Sequence, residues 1–240
     1  MKQAMKRLLR ALDDLLFPEH VGCLCCGTAL GEDERDGLCA FCRDALERQQ
    51  NEQQERETDG EWADDGLPEG IAFVHAAYGY EGLARRLILA LKFSGARDAA
   101  VPLARAMAML PGGEEEVIVP VPTTRRRLRE RGYNQAALLA RHMGEELGME
   151  VCEALSRRDE RAAQATLNRA ERSRNLVGCM SSGGQVRGKR VLLVDDVYTT
   201  GSTAREAARA LYAAGARSVG MFAAARTIKG AKSDPQFLRQ

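Results

Sequence analysis

The chain has 240 residues, of which 45% are hydrophobic and 29% are charged, and its formal net charge is +1. This length allows one domain with a full core together with a small appendage. A near-neutral charge gives no overall signal for binding nucleic acid or an anionic membrane, and no apolar run approaches the roughly 20 residues needed to span a bilayer.

The first segment, residues 1–16, places leucines at helical spacing among lysines and arginines. This pattern predicts a helix that docks on the rest of the protein. The basic residues leave a membrane-surface helix as the alternative. The segment lacks both the uninterrupted apolar stretch and the small-residue cleavage site of a secretory signal, so we expect a cytoplasmic protein.

A cysteine cluster follows this segment. It consists of two Cys-x2-Cys pairs with twelve residues between them: Cys23, Cys26, Cys39 and Cys42. Two such pairs predict a four-cysteine zinc site, which has no open coordination position and is therefore structural. In a reducing compartment metal binding is favoured over disulfides. Cys25 and His20 stay open as alternative ligands, and unligated cysteines are the competing interpretation.

The composition divides the chain into three parts. Residues 1–46 hold the N-terminal helix and the zinc module, residues 47–70 form an acidic linker, and residues 71–240 form the main domain. The linker is rich in Glu and Gln and has almost no apolar residue except Trp62. Its first part is also compatible with a continuation of the helix that follows Cys42.

Strand-like and helix-like patterns alternate in the main domain. The predicted strands are residues 71–80, 117–121, 151–155, 191–194 and 219–224, and the predicted helices are residues 83–91, 99–110, 134–147 and 202–214. This alternation predicts an α/β fold with a doubly wound, mostly parallel sheet. The continuous apolar run at 191–194 is typical of a strand buried on both faces.

The segment from Val191 to Thr203 is the sharpest functional signal. Two carboxylates, Asp195 and Asp196, come at the end of the buried strand. A loop rich in hydroxyl groups then leads into a helix, through Thr199, Thr200, Gly201, Ser202 and Thr203. Backbone N–H groups of such a loop and the N-terminus of the helix favour a phosphate. The carboxylates would repel a phosphate, and they suit ribose hydroxyls or a magnesium ion shared with those hydroxyls.

Two simpler interpretations compete with this one. A plain strand–turn–helix with capping residues explains one Asp and one Thr, but not the whole run. A dinucleotide or P-loop site is disfavoured because the glycine fingerprint and the Gly-Lys-Ser/Thr motif are both absent from the sequence.

The run from Asp195 to Thr203 resembles the phosphoribosyl-diphosphate signature of type I phosphoribosyltransferases. Other stretches resemble one branch of that superfamily, the ComF/GntX-like proteins linked to DNA-uptake competence. These stretches are residues 91–93, 119–122 and 131–135, and Gln164, Leu167, Arg172 and Asn175. The cysteine module fits the same branch. The resemblance implies a type I phosphoribosyltransferase fold with a small zinc module, and phosphoribosyl diphosphate bound with Mg²⁺.

The resemblance also implies that the loop after the strand at 117–121 holds the pyrophosphate. The candidate residues for the pyrophosphate and the loops are Lys92, Thr123, Arg125, Arg131 and Arg172. Arginines would neutralise the pyrophosphate, although a charge run is usually a solvated face. Residues 157–175 stand where the superfamily keeps a mobile loop that closes over the substrate. A charged surface helix is the alternative for that segment.

A purine base is a poor candidate for the acceptor of the phosphoribosyl group. Purine-salvage relatives often carry an acidic base where this chain has Thr199, and a threonine cannot deprotonate a ring nitrogen near neutral pH. We therefore expect transfer to an anionic or amine nucleophile, with no catalytic residue identified. The alternative is a non-catalytic competence protein that senses a nucleotide or binds single-stranded DNA, or that engages other competence proteins. An aromatic content of 5% argues mildly against a base-stacking platform.

Overall fold

The computed structural model describes residues 22–31, 34, 36–59, 66–157 and 178–228. Its helices, in chain order, are α1 (Ala40–Thr58), α2 (Gly82–Phe93), α3 (Ala100–Ala108), α4 (Arg125–Arg131), α5 (Gln135–Leu147) and α6 (Ser202–Ala213). Its strands are β1 (Val74–Gly79), β2 (Val117–Pro120), β3 (Leu155–Arg157), β4 (Met180–Ser182), β5 (Arg190–Tyr198) and β6 (Ser218–Arg226). Among these helices, none combines the length and the apolar content needed to cross a bilayer. The helix predicted at 1–16 lies outside the described residues.

Four parallel strands form the central sheet, in the order β1-β6-β5-β2. Strand β5 lies inside it, and Val191 is opposite both Val117 of β2 and Val219 of β6. The apolar run that begins at Val191 and ends at Val194 is buried, because helices cover both faces of a doubly wound sheet. The predicted parallel α/β sheet is confirmed.

The two faces of the sheet pack against different helices. Leu192 and Val194 belong to the core that includes α2, α3 and α5. Val191 and Leu193, which point the other way because side chains alternate along a strand, belong to the core that includes α6. The sheet is therefore wound on both sides, as the sequence predicts.

Two strand predictions need correction. The strand predicted at 151–155 is wrong, because Val151 makes only an isolated parallel bridge to Ile118 of the edge strand β2 and the next strand begins at Leu155. The chain then turns into β3, which pairs with β4 in a separate antiparallel ribbon. Strand β5 is longer than predicted, because its ladder with β6 continues through Asp195 to Tyr198. The carboxylates therefore lie within the last part of the strand.

Helix α1 docks the cysteine module onto the main domain. It continues to Thr58, so the first part of the predicted linker is helical. The Nε2 of Gln50 donates to the carbonyl of Ala106 at 3.1 Å. The Oε1 of Gln49 accepts from the backbone N–H groups of Leu83 and Ala84 at the start of α2. Amide side chains with backbone partners explain how so polar a helix packs. Residues 60–65 lie outside the described part of the chain.

Candidate functional site

A cavity of about 480 Å³ opens at the C-terminal edge of the central sheet. Each of the four parallel strands supplies a residue to its wall, within or just after the strand: Tyr80 for β1, Val121 for β2, Asp196 for β5 and Thr227 for β6. Ligands of open α/β sheets bind at this edge. Seven of the residues predicted for the site line the cavity: Lys92, Thr123, Arg131, Asp195, Asp196, Thr199 and Thr203.

The hydroxyl loop closes one end of this cavity. Thr199 and Thr203 line the wall, whereas the residues between them form the turn into α6. Within that turn, the Oγ1 of Thr200 and the Oγ of Ser202 are 2.9 Å apart. Helix α6 has twelve residues, so its N-terminus carries the partial positive charge that favours a phosphate.

Gly201 gives the loop its shape. Its φ of +71° lies in the left-handed region that favours glycine. A Cβ at this position would lie 2.6 Å from the Cγ of Pro68 and 2.8 Å from the hydroxyl of Tyr198. The close approach of these neighbours therefore requires glycine for two separate reasons, conformation and space.

The two carboxylates of the site have different surroundings. Asp195 is partly buried, and its Oδ1 accepts a hydrogen bond from the backbone N–H of Asp196 at 2.8 Å. Burial, and then the neighbouring charge of Asp196, raise the pKa of Asp195 to about 7. Asp196 instead forms an ion pair, with 3.1 Å between its Oδ2 and the Nζ of Lys92. One carboxylate is thus already paired, while the other would gain from a cation or a hydroxyl donor.

The position of Lys92 is fixed by its two neighbours in sequence, which contact the segment at 131–135. The residue before it, Leu91, accepts at its carbonyl a 2.6 Å hydrogen bond from the hydroxyl of Tyr133. The residue after it, Phe93, lies beneath the guanidinium of Arg131, 5.1 Å from the ring centroid. The end of α2 and the turn between α4 and α5 therefore form one wall of the cavity.

The basic segment after β2 forms helix α4. Thr124 caps it by accepting a hydrogen bond from the backbone N–H of Arg127 at 3.3 Å. Arg127 and Arg131 line the cavity. Arg125 is exposed at the start of the helix and does not line the cavity. Arg172 lies outside the described residues.

Several residues that line the cavity are missing from the site predicted by sequence, and two of them, Gln135 and Arg157, carry a buried side-chain nitrogen. Gln135 is 3% exposed. Its Oε1 accepts from Arg131 at 3.2 Å, and its buried Nε2 has no hydrogen-bond acceptor among the residues that the structure describes. Arg157 stands at the wall shared with an adjacent cavity of about 450 Å³, and its buried Nε also has no acceptor within the described part of the chain. The sequence did contain a pattern around each residue. Gln135 lies in the stretch at 131–135, and Arg157 begins the arginine-rich segment at 157–175.

The predicted cysteine ligands come together in the N-terminal module. The sulfurs of Cys23, Cys26, Cys39 and Cys42 all lie within 4.8 Å of one another, and those of Cys26 and Cys39 are 3.6 Å apart. A tetrahedral site with Zn–S bonds of about 2.3 Å has sulfurs about 3.8 Å apart. The cluster could therefore hold a zinc ion. Cys25 is not part of it, and His20 lies outside the described residues.

The surroundings of Cys42 favour its neutral thiol over the thiolate that a metal needs. Burial, and then hydrogen bonds with Cys39, Cys26 and Cys23, raise the pKa of Cys42. A dication stabilises the thiolate form and so offsets this cost. Cys23 and Cys42 are buried in the same core cluster as Leu38 and Leu46, which anchors the module to α1.

Comparison with known proteins agrees with this architecture. The model of the phosphoribosyl transferase domain matches residues 113–236, which is 124 of the 240 residues (236 − 113 + 1). "DNA utilization protein YhgH" of Escherichia coli is 34% identical over 155 residues, covering 59% of this chain and 66% of that protein. "Competence protein ComFC" of Streptococcus pneumoniae is 34% identical over 113 residues, covering 47% of this chain and 49% of that protein.

A solved structure with similarity to the chain is the glutamine phosphoribosylpyrophosphate (PRPP) amidotransferase from B. subtilis complexed with ADP and GMP. It is 24% identical, with a TM-score of 0.41, and the match covers 54% of this chain and 26% of that chain. A TM-score this low supports no further argument. The chain spans just under two thirds of its E. coli relative and about half of its pneumococcal one. Because the family model matches half of the chain and its relatives carry competence and DNA-utilization names, the chain belongs to the phosphoribosyl transferase domain family, as a ComF-like protein.

Proposed function

We propose that the cavity binds phosphoribosyl diphosphate. The proposal rests on three groups of side chains that line one cavity. They are an acidic pair, the hydroxyl loop and a basic wall: Asp195 and Asp196, Thr199 and Thr203, and Lys92, Arg127 and Arg131. The 5′-phosphate would lie against the loop from Thr199 to Thr203, where N–H and hydroxyl donors and the α6 N-terminus meet. The ribose hydroxyls would donate to Asp195 and Asp196.

The pyrophosphate of this ligand needs cationic partners on the opposite wall. Arg127 and Arg131 from α4 supply guanidinium groups, which pair well with phosphate oxygens. Thr123 adds a hydroxyl donor, and Lys92 adds a point charge beside the acidic pair. The same cations would stabilise pyrophosphate as it departs, since its negative charge grows as the bond to the sugar breaks.

The acidic pair also fits Mg²⁺, which prefers carboxylate and hydroxyl oxygens. The raised pKa of Asp195 shows a carboxylate that a nearby cation would stabilise. When bound, the ion would order the ribose hydroxyls and the pyrophosphate and withdraw charge from the leaving group. Asp195 and Asp196 are the residues that would hold it.

We infer that the reaction is transfer of the phosphoribosyl group. The bond between the anomeric carbon and the pyrophosphate oxygen breaks, its electron pair leaves with pyrophosphate, and a bond to the nucleophile forms. Thr199 stands where an acidic base would be needed for a neutral ring nitrogen, and its hydroxyl is too weak a base near pH 7. The nucleophile is therefore an anion or an amine, which attacks without losing a proton to the protein first.

A binding function without catalysis is the second candidate. Helix α4 presents exposed arginines beside the cavity: Arg125, Arg126, Arg127 and Arg129. Such a basic helix suits a nucleic-acid backbone, and two relatives are named for DNA utilization and competence. In this alternative the cavity senses phosphoribosyl diphosphate or a nucleotide, while α4 and the zinc module engage single-stranded DNA or another competence protein.

The cysteine cluster would hold one structural zinc ion, because four sulfur ligands leave no open coordination position. None of the seven cysteines, all within the described residues, forms a disulfide. A free-thiol cluster of this kind suits a reducing compartment, which supports a cytoplasmic location.

The two candidates are separated by a pair of assays on the full chain. Pyrophosphate release is measured with phosphoribosyl diphosphate, Mg²⁺ and a panel of amine and anionic acceptors. Binding of a single-stranded oligonucleotide is measured over a range of salt concentrations, where phosphate contacts give a steep dependence. Acceptor-dependent pyrophosphate release supports the enzyme. Salt-dependent oligonucleotide binding without such release supports the binding protein.

A further inference from the structure

Helix α2 connects the cysteine module to the cavity. Near its C-terminal end, the Nζ of Lys92 lies 3.1 Å from the Oδ2 of Asp196. In its middle, the Nη1 of Arg86 donates to the carbonyl of Cys25 at 3.4 Å, and Leu87 is buried in the same core cluster as Cys42. The position of α2 therefore affects both the proposed ligand site and the module that would hold zinc.

The N-terminus of α2 is capped by a side chain from α1. Glu81, the N-cap residue, makes no side-chain cap of its own. Instead, the Oε1 of Gln49 accepts hydrogen bonds from the backbone N–H groups of Leu83 and Ala84, at 3.1 and 3.2 Å. The Nε2 of Gln49 donates to the carbonyl of Glu81 at 3.3 Å. The first N–H groups of a helix have no partner inside it, so this cap stabilises the first turn and fixes where α2 begins.

The capping contact is tightly packed and lies close to the cysteines along α1. Gly82 leaves the space for it, because a Cβ there would lie 2.6 Å from the Nε2 of Gln49. Gln49 follows Cys42 by seven residues (49 − 42), which is about two helical turns and places both residues on the same side of α1. One short stretch of helix therefore carries both a cysteine of the cluster and the cap of α2.

We propose that Gln49 is a positioning residue, which links the cysteine module to α2 and so holds Lys92 beside the acidic pair. The inference rests on the proposed function, and it adds that zinc in the module and the ligand in the cavity strengthen each other's binding. Helix α2 has twelve residues, a length of about 18 Å, so a displacement of its start also displaces Lys92. The difference in ligand affinity between the two positions of Lys92 is the coupling between the sites.

The first test compares two leucine variants of the full chain. Gln49→Leu removes the cap of α2. Gln50→Leu is the matched control, because Gln50 is the next residue of the same helix and its Nε2 donates to Ala106 of α3. Calorimetry with phosphoribosyl diphosphate and Mg²⁺ should show an affinity about fivefold or more weaker for Gln49→Leu, the low end of usual coupling between sites. Gln50→Leu should keep the wild-type affinity.

Two further measurements separate positioning from a loss of stability or of zinc. Gln49→Glu keeps an acceptor oxygen for the two N–H groups and should restore most of the affinity. All three variants should hold one zinc per chain by elemental analysis, since none of them changes a cysteine of the cluster.

The second test uses the reciprocity of coupled binding. Zinc affinity is measured by competition with a zinc-selective chelator at a fixed Mg²⁺ concentration, with and without phosphoribosyl diphosphate. In wild type the ligand should raise the zinc affinity by the same factor as zinc raises the ligand affinity. This effect should persist in Gln50→Leu and disappear in Gln49→Leu.

Wild-type ligand affinity in Gln49→Leu would overturn the positioning role, and so would equal losses in the two leucine variants, which indicate reduced stability alone. A wild-type zinc affinity that the ligand leaves unchanged would overturn it as well, and this measurement decides the matter if Gln49→Leu does not fold. If wild type binds no phosphoribosyl diphosphate at millimolar concentration, the proposed function fails together with this inference. If wild type binds and the capping variant binds equally, only this inference fails.

Discussion

The Nζ of Lys92 lies 3.1 Å from the Oδ2 of Asp196, and the two side chains are only 17% and 16% exposed. The residues are 104 positions apart in the chain (196 − 92). Their contact joins the end of α2 to the C-terminal end of β5, and it neutralises one of two adjacent carboxylates. The geometry of the acidic pair therefore depends on a residue far from the phosphate loop.

Lys92→Met should destabilise the unliganded protein by about 1.5–3 kcal/mol, the usual worth of a hydrogen bond to a charged group. A double-mutant cycle with Asp196→Asn isolates the pair, because the second change should cost much less once the lysine is gone. The exposed pair Arg141–Glu153, at 61% and 59% exposure, is the control and should couple by less than about 1 kcal/mol. Equal coupling in the two cycles, measured by urea unfolding, would contradict this role for Lys92.

Asp195→Asn should stabilise the unliganded protein near neutral pH. The folded protein raises the pKa of Asp195 from 3.8 to about 7, so the folded state binds this proton more tightly than the unfolded state. The resulting stability is present at low pH and is lost as pH rises through this window. The advantage of the variant should grow from about pH 4 to pH 7 and reach on the order of 1 kcal/mol or more. Melting curves without divalent cations test this, and an advantage that is constant with pH would contradict it.

Gly201→Ala should damage both stability and phosphate binding. Gly148→Ala is the matched control: both glycines have positive φ, +71° and +65°, but only at Gly201 would the new Cβ meet Pro68 and Tyr198. Backbone strain of about 1–2 kcal/mol is common to the two variants. Overpacking should cost Gly201→Ala about 1–3 kcal/mol more. Gly201→Ala should also lose affinity for ribose 5-phosphate, whereas Gly148→Ala should keep it. Urea unfolding and calorimetry measure the two effects. Equal stability and equal affinity in the two variants would contradict this role for Gly201.

Much of this fold could be predicted from sequence, because periodicity and glycine stops report on local structure. The buried strand at 191–194 and the helices that end at Gly148 and Gly215 are examples. The bridge at Val151 could not be predicted, since a lone contact with an edge strand leaves no periodic pattern. The docking of α1 could not be predicted either, because a segment rich in glutamine has the composition of a solvated linker even where some of its glutamines are buried.

The candidate site could also be predicted only in part from the sequence. The loop and the acidic pair are contiguous in sequence, so their chemistry could be recognised there. Two features depend on which distant segments the sheet brings together: the ion pair of Lys92 with Asp196, and the Gln135 Nε2 that lacks an acceptor among the described residues. The sequence identified Asp196 and Lys92 as candidate site residues and Gln135 only as part of the stretch at 131–135, and it gave no indication of which residues they contact.

Zinc content should depend on the four clustered cysteines and not on Cys25. Wild type and Cys25→Ser, purified without added metal, should each hold one zinc per chain, because Cys25 is outside the cluster. Cys39→Ser should lose most of the zinc and melt at a lower temperature, since a structural zinc contributes directly to folding. Elemental analysis with parallel melting curves measures both. Full zinc content in Cys39→Ser, or loss in Cys25→Ser, would refute this ligand set.

Calorimetric titration of the full chain with phosphoribosyl diphosphate and Mg²⁺ tests the central claim most directly. The variant to compare is Asp195→Asn with Asp196→Asn, which keeps the shape of the acidic pair and removes its charge. Each charge-assisted hydrogen bond lost is worth roughly 1.5–3 kcal/mol, so we predict that wild type binds and that the affinity of the double variant falls at least tenfold. Unchanged affinity in the double variant, or no binding by wild type at millimolar ligand, would contradict the assignment of this cavity.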